Sequence, residues 1–313
     1  MIPCICIFGP TASGKSRLAL ELAQEISGTI ISADSMQLYR GMDIGTAKPS
    51  VEEQRLVPHK MIDILNTGES YSVYAYQAAA EEEIRNAWRR SSPPIVAGGT
   101  GLYIDALLNH TSFGEIEIDD SILAELNQTV QTKGTKPLLE ELTRVDPESA
   151  APLHEKDVKR IVRALAVYRS TGKTLTFYKD ASHSVKGDID YLSFYLCFRD
   201  REKLYRRIDA RVDEMVRNGL IEEARALYES GALQERTASQ AIGYKELIPY
   251  FDNENTLDEC ISLLKQKSRN YAKRQITWFK RYTFAQPIYA DGLEDLSDII
   301  KERSVVFLRR YES

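Results

Sequence analysis

Eight residues near the start of the chain, Gly9-Pro10-Thr11-Ala12-Ser13-Gly14-Lys15-Ser16, fit the pattern G-x-x-x-x-G-K-[ST]. With ordinary residue usage, a chain of this length carries such a run by chance on the order of once in a hundred cases. The chemistry it offers is anion binding. Its glycines let the backbone approach a ligand, so that N–H groups of the loop and of a following helix N-terminus converge on phosphate oxygens. Lys15 adds a point charge for terminal phosphates, and the Ser16 hydroxyl is a ligand for Mg²⁺. The plain alternative is an ordinary glycine turn. Against it, a β-rich run, Ile2 to Phe8, precedes the loop, and Leu18, Leu22 and Ile26 mark an amphipathic helix behind it.

Two more segments bring polar groups to the ends of short apolar runs. Thr29 to Ala33 is followed by Asp34-Ser35-Met36-Gln37, and Pro94 to Ala97 by Gly98-Gly99-Thr100-Gly101-Leu102-Tyr103. Open α/β sheets bind ligands at the carboxyl ends of their strands, so Asp34 and Thr100 are expected to face the phosphate site. Asp34 also reads as a helix cap or a metal-facing acid, and Thr100 as the cap hydroxyl of a glycine-rich turn. An NTP hydrolase would place a metal-holding acid after an apolar strand and a further residue to orient water. Here that strand ends in Ala97-Gly98-Gly99, and no N-K-x-D run for guanine recognition is present.

The elements that must position these groups alternate strand and helix. That pattern predicts an α/β fold, a P-loop-type parallel sheet flanked by helices. A helical stretch around Ala75 to Arg90 precedes the Pro94 strand, and Tyr191 to Phe198 and Ile288 to Ala290 are expected to complete the sheet. Between them, residues 113–185, Phe113 to Val185, lack any long β-like run. Asp119 is placed to cap one helix, Pro137 to start another, and Val158, Ile161, Leu165 and Tyr168 mark a third ending before Gly172. The expected organisation is a first core segment 1–112, a helical insertion domain 113–185, and core completion with a helical C-terminal region over 186–313. Gly219 and Gly231 are expected helix stops, followed by a long helix from about Thr256 to Tyr282.

Composition excludes whole classes. At 28% charged and 43% apolar the chain is globular, not disordered or fibrous. No apolar run approaches a bilayer span, and no basic stretch precedes the first strand to make a signal peptide. Cys4, Cys6, Cys197 and Cys260 show no C-x-x-C spacing and read as reduced core residues of a cytoplasmic protein. With 41 basic against 46 acidic residues, net −5, indiscriminate polyanion binding is disfavoured and a nucleic-acid partner needs local basic faces. Ile261 to Ala290 supplies one, with seven basic residues, no acid and six aromatics, of which Tyr271 and Trp278 share helical spacing with Ile261 and Leu264 and read mostly as core. Packing does not explain its charges. Lys156, Lys159, Arg160 and Arg163 form a second cluster, beside the apolar stripe of the insertion helix.

Several runs together resemble one family, the tRNA dimethylallyltransferases, also called tRNA isopentenyltransferases. They are GPTASGKS at Gly9 to Ser16, DSMQ at Asp34 to Gln37, GMDIGTAKP at Gly41 to Pro49, Pro58-His59 ahead of Ile62-Asp63, GGTGLY at Gly98 to Tyr103, and KRQITW at Lys273 to Trp278. The resemblance extends from Gly9 to about Phe279. It departs at Ala75-Tyr76, where an Asp-Phe pair is common, and at Lys159-Arg160, where Gln-Arg is frequent. The zinc-finger extension of eukaryotic relatives is lacking, so the chain looks like the bacterial form.

The resemblance implies a reaction in which a five-carbon allylic group passes from dimethylallyl diphosphate to N6 of adenosine 37 in tRNA, beside the anticodon. By it, the loop with Lys15 and a Mg²⁺ on Ser16 holds the diphosphate, Thr100 donates near the bridging oxygen, and Asp34 takes the N6 proton. Arg207 and Arg211, at i and i+4 on an expected helix, match an arginine region that clamps the diphosphate; a solvated helix face beside Glu202 and Glu214 is the other reading. By resemblance again, Lys159-Arg160-Ile161-Val162-Arg163, Gln240-Ala241-Ile242-Gly243-Tyr244-Lys245 and Lys273-Arg274 approach the anticodon arm. Asp34, Ser35, Met36, Gln37 and Thr100 then lie near the reacting base. The partners implied are tRNA and dimethylallyl diphosphate, with no membrane and no obligate protein partner. Rival readings from the residues are a small-molecule or nucleotide kinase, which uses the same cradle to transfer phosphoryl groups, with ATP bound there, and a non-catalytic RNA-binding module.

Overall fold

The computed structural model describes residues 1–109, 116, 118–182, 187–234, 240–292 and 296–311. The chain forms two compact units, Met1–Ile104 with Asp188–Ser313, and Asp105–Gly187. In chain order the first elements are β1 (Ile2–Phe8), α1 (Lys15–Ile26), β2 (Thr29–Ala33), α2 (Val51–Leu56), β3 (His59–Lys60), α3 (Val73–Arg89), β4 (Pro94–Gly98) and α4 (Gly101–Leu108). Five helices follow: α5 (Asp120–Lys133), α6 (Lys136–Val145), α7 (Pro147–Ala150), α8 (Val158–Thr171) and α9 (Leu175–Ser182). The last are β5 (Ile189–Cys197), α10 (Arg201–Arg217), α11 (Leu220–Glu229), α12 (Ile248–Phe251), α13 (Leu257–Phe279), β6 (Gln286–Tyr289) and α14 (Leu296–Leu308).

Six strands form one sheet in the order β3-β2-β4-β1-β5-β6, and every pairing among them is parallel. β1 is central and buried on both faces, so its alternation sorts side chains between two layers. Ile5 and Ile7 join Leu18 and Leu22 of α1 and Ile300 and Phe307 of α14 in one cluster. Cys4 and Cys6 point the other way, where they act electrostatically on the buried Tyr76 of α3. All four cysteines are free; Cys4, Cys6 and Cys260 are buried and Cys197 half-buried. Tyr76, at the departure from the family pattern, stacks on Tyr103 with ring centroids 3.6 Å apart and donates its hydroxyl to the Ser32 carbonyl at 3.0 Å.

Register sets the site. Ala33 of β2 and Phe8 of β1 both stand opposite Gly98 of β4, so these three strands end level. The chain therefore leaves them side by side at Gly9, Asp34 and Gly99. Gly98 is required there, because a Cβ would lie 2.2 Å from the Ala33 carbonyl oxygen.

The second unit packs α5 to α9 around Leu126, Leu138, Leu142, Ile161 and Leu165. Asp119 caps α5, Pro137 sits in the first turn of α6, and Gly172 closes α8 in the left-handed region at φ 73°. The expected insertion bounds, Phe113 and Val185, lie outside the described residues. Ile161 and Val162 are 0% and 6% exposed within this core, which corrects the expectation that they touch tRNA, while Lys159, Arg160 and Arg163 beside them are exposed. Among the described residues no helix is long and apolar enough to cross a membrane.

Because the β2–β4 approach leaves no room for a side chain, Gly98→Ala is expected to cost about 2 to 3 kcal/mol of folding stability by overpacking. Urea unfolding of the two proteins measures the difference; equal midpoints and slopes would mean that the strands separate freely.

Candidate active site

The glycine loop is held in backbone conformations that a helix or strand lacks. Gly14 sits at φ 93° and Ala12 at φ 59°, and the Ser13 N–H donates to the Pro10 carbonyl at 3.3 Å. The strained Ala12 turn packs on Leu204 and Ile208 of α10 and Ala272 of α13, which hold it in place. Lys15, the first residue of α1, is 8% exposed and reaches back to the Pro10 carbonyl at 3.5 Å. Burial pushes its ammonium down to about 8; neighbouring Arg211 lowers it further and Asp34 opposes the effect. A desolvated cation beside a second cation is prepared for an anion. Ser16 is exposed and lines the same cleft.

Asp34 follows β2 directly. One of its carboxylate oxygens accepts the Met36 N–H at 3.0 Å, so it caps its own turn while facing the cleft. The Ser35 N–H donates to the Thr100 hydroxyl at 2.9 Å, and the Thr100 N–H to the Ala33 carbonyl at 3.0 Å. These bonds tie the two rims together. Thr100 stands one hydrogen bond behind the cleft wall, where its hydroxyl also engages Tyr271.

The cleft itself, about 390 Å³, lies between the strand ends and the pair α10 and α13. These helices run antiparallel, because Arg269 pairs with Asp209 at 2.5 Å and Lys265, one turn earlier, with Asp213, one turn later, at 2.6 Å. The expected unexplained charge on α13 is thereby corrected in part, since two of its basic residues are neutralised by α10. Ile208, Arg211, Val212 and Met215 of α10 face Leu264, Ser268, Tyr271 and Gln275 of α13 across the cleft. Of the arginine pair, Arg211 is half-buried in the cleft. Arg207 is one turn away, beside Gly14, with its guanidinium 5.6 Å from the Phe198 ring. Arg274 lines the cleft and Lys273 is exposed on the outside, its ammonium 5.7 Å from the Tyr205 ring.

A second wall comes from Gly45, Thr46 and the segment Gln240 to Lys245. Its organiser is Glu223 of α11, whose carboxylate accepts the N–H groups of Asp43, Ile44 and Gly45 at 2.9 to 3.1 Å and the Tyr244 hydroxyl at 2.7 Å. Tyr244 is 0% exposed and Ala241 2%, so within this run Gln240, Ile242 and Lys245 keep side-chain surface, and Tyr244 is scaffold rather than a tRNA contact. Gln37 also lines the cleft, but its amide is held from inside, accepting from Ser32 Oγ at 2.8 Å and donating to the Ala47 carbonyl at 3.1 Å. Lys48 is likewise internal, donating to the Tyr39 carbonyl at 2.8 Å and pairing with Asp43 and Asp63.

Sequence reading missed three residues here: Glu223, Tyr271 and Gln275. A signal for two of them exists. Leu264, Ser268, Tyr271 and Gln275 recur on the buried stripe of α13, and a polar side chain on an apolar stripe is the informative exception. Glu223 carries no such signal, because its partners are backbone groups distant in sequence. Among the described residues no group of three or more His, Cys, Asp or Glu is arranged for a metal.

Comparison with known proteins agrees with this geometry. The IPP transferase family matches residues 37–282, and the isopentenyl transferase family residues 3–62. The tRNA dimethylallyltransferase of Thermoanaerobacter sp. (strain X514) is 42% identical over 301 residues, 96% of either chain. That of Halothermothrix orenii is 45% identical over 278 residues, 88% of this chain and 84% of the relative. Among solved structures, the full-length tRNA isopentenylpyrophosphate transferase of Bacillus halodurans gives a TM-score of 0.71 at 38% identity, over 100% of this chain and 97% of its own. A eukaryotic dimethylallyltransferase acting on tRNA gives 0.77 at 26% identity, over 99% and 79%.

Since Lys15 loses its proton near pH 8 in the free protein, affinity for inorganic diphosphate is expected to fall as pH rises through 8, approaching about tenfold per unit. The sign follows from the bound anion favouring the ammonium. Titration calorimetry from about pH 7 to about pH 9.5 measures it against Lys15→Arg, whose guanidinium stays charged. Parallel pH profiles for the two proteins would remove Lys15 from the anion site.

Proposed function

The chain belongs to the IPP transferase family, and on that premise we propose that it is a tRNA dimethylallyltransferase, moving the dimethylallyl group of dimethylallyl diphosphate to N6 of adenosine 37 beside the anticodon and releasing diphosphate. The observation that carries this reading is the pairing of a complete phosphate cradle with Asp34 at its rim and no acid after β4. A kinase needs that acid for its metal; an alkyl transfer needs the cradle for its leaving group.

In the step itself the N6 lone pair forms a bond to C1 of the allyl group as the C1–O bond breaks, and the electron pair leaves with the diphosphate. Positive charge grows on the allylic carbon and negative charge on the departing oxygens. N–H groups of the loop, Lys15 and Arg211 stabilise those oxygens where the charge appears, with Arg207 placed to reach them past Gly14. An exocyclic amine is a poor nucleophile, so a carboxylate beside it has the general-base role, which we assign to Asp34. We assign the donor near the bridging oxygen to Thr100, whose hydroxyl Ser35 and Tyr271 hold in place. The donor set fits Mg²⁺, which prefers one or two protein oxygens with phosphates and water: the exposed Ser16 hydroxyl would hold it, and bound there it would neutralise charge on the diphosphate.

A stacked base does not reach Asp34, so adenosine 37 enters the cleft flipped out, past Ser35 and Met36. Gln240, Ile242, Lys245, Lys273 and Arg274 are the tRNA-facing groups we assign in the first unit, and Lys159, Arg160 and Arg163 of the helical insertion those in the second. The reaction belongs in the cytoplasm and needs no membrane or obligate protein partner.

Two measurements test the assignment. Incubation with tRNA and dimethylallyl diphosphate, read by nucleoside mass spectrometry, is expected to give N6-dimethylallyl adenosine, and Asp34→Asn to lower its formation by about 10²-fold or more with diphosphate affinity nearly intact. Equal loss of diphosphate affinity would recast Asp34 as a metal-site residue; consumption of ATP in place of dimethylallyl diphosphate would support a kinase. Charge reversal at Lys273, exposed outside the cleft, is expected to flatten the slope of log tRNA affinity on log salt by somewhat under about one unit, with diphosphate affinity unchanged. Identical slopes would move tRNA docking to the Lys156 to Arg163 face.

A further inference from the structure

Gln275 is 4% exposed in the middle of α13, and the reaction as derived makes no use of it. Besides engaging the Tyr271 side chain, it makes two bonds of equal length to two different parts of the site. The carbonyl Oε1 accepts the N–H of Thr11, in the phosphate loop, at 2.8 Å, and the amide Nε2 donates to the Gly99 carbonyl at 2.8 Å. Both partners are backbone groups within three residues of the ends of adjacent strands, β1 and β4. The fit is close on the Gly99 side, where a Cβ would lie 2.5 Å from Nε2. An uncharged group that accepts at one tip and donates at the other is an amide, and a hydrocarbon of the same length would leave a buried N–H and a buried carbonyl unpaired.

We propose that Gln275 is a positioning residue that fixes the phosphate loop against the turn carrying Thr100. It holds the cradle for the leaving oxygens and the hydroxyl assigned to the bridging oxygen in one geometry. One turn earlier on the same face, Tyr271 engages Thr100, so α13 grips the turn on both sides of the Gly99-Thr100 peptide. The Thr11 N–H is bonded to Gln275 and the Ser13 N–H to the Pro10 carbonyl, so the loop's shape is fixed from within and from α13. A misplacement of reacting groups by about 1 Å costs on the order of 10²-fold in rate, so an amide linking both halves of the site acts on turnover before it acts on tRNA binding.

The inference rests on the transfer reading above, and a double-mutant cycle tests it. Gln275→Met removes both hydrogen bonds from the α13 side. Gly99→Ala displaces the amide from the other side with the sequence of α13 unchanged, and Gly99 is not in the left-handed region that would forbid alanine. Each variant is expected to lower kcat by about tenfold or more and to weaken binding of inorganic diphosphate, with affinity for an anticodon stem-loop within about twofold of wild type. The double variant is expected to be no worse than the poorer single one, because both remove the same link. Additive losses, a Gly99→Ala enzyme with wild-type turnover, or stem-loop affinity falling in step with kcat would each overturn the proposal. If Gln275→Met does not fold, Gly99→Ala decides alone. If the wild-type protein transfers no dimethylallyl group, the transfer reading fails, whereas diphosphate binding by the variants still reports on the link itself.

Discussion

Lys15 holds a positive charge with 8% of its surface exposed, next to Arg211 and behind a tightly turned glycine loop. Burial of a cation beside another cation is unfavourable until an anion arrives, and here burial has pulled the lysine down to about 8. The rest of the site makes sense as the surroundings of that anion. Asp34 is near enough to act on both cations electrostatically and far enough to leave the cradle open, which gives the cleft a positive floor with one negative group at its rim. An allylic diphosphate and an amine that must lose a proton present the complementary arrangement.

The charges are held by a sheet in which β2, β4 and β1 end level and by two antiparallel helices that close over them. Level ends put Gly9, Asp34 and Gly99 within hydrogen-bonding reach of one another's neighbours. α10 and α13 then supply Arg211, Tyr271 and Gln275 from far along the chain, so the shape of the cleft depends on the packing of distant segments and not on the glycine loop alone. Glu223 does for the second wall what Gln275 does at the strand ends: one side chain gathers several backbone groups and gives an irregular loop a fixed shape.

Local patterns were enough to read most of the fold. The buried β1 run, the Asp119 and Gly172 caps and the period of α13 all have causes that act within a few residues. β3 escaped because two residues, His59 and Lys60, carry no periodicity; they are a strand only because β2 is beside them. The phosphate loop, Asp34 and Thr100 were legible because strand ends and glycines announce them. Ile161, Val162 and Tyr244 are named as contacts by resemblance, as members of runs whose other residues keep side-chain surface, and burial alone separates the two. Cross-helix pairs such as Arg269 with Asp209 are equally invisible until the helices are aligned, and they change a run of seven basic residues into a smaller local excess.

The central claim is that the cradle serves a leaving group, so the bond broken is carbon to oxygen and not phosphorus to oxygen. Dimethylallyl diphosphate labelled with ¹⁸O at the oxygen on C1, turned over with tRNA and followed by mass spectrometry of both products, tests it directly. The account predicts that all of the label leaves with the diphosphate and that the modified adenosine gains the dimethylallyl group with no added oxygen. Label retained in an organic product, or phosphate transferred to the tRNA, would contradict it.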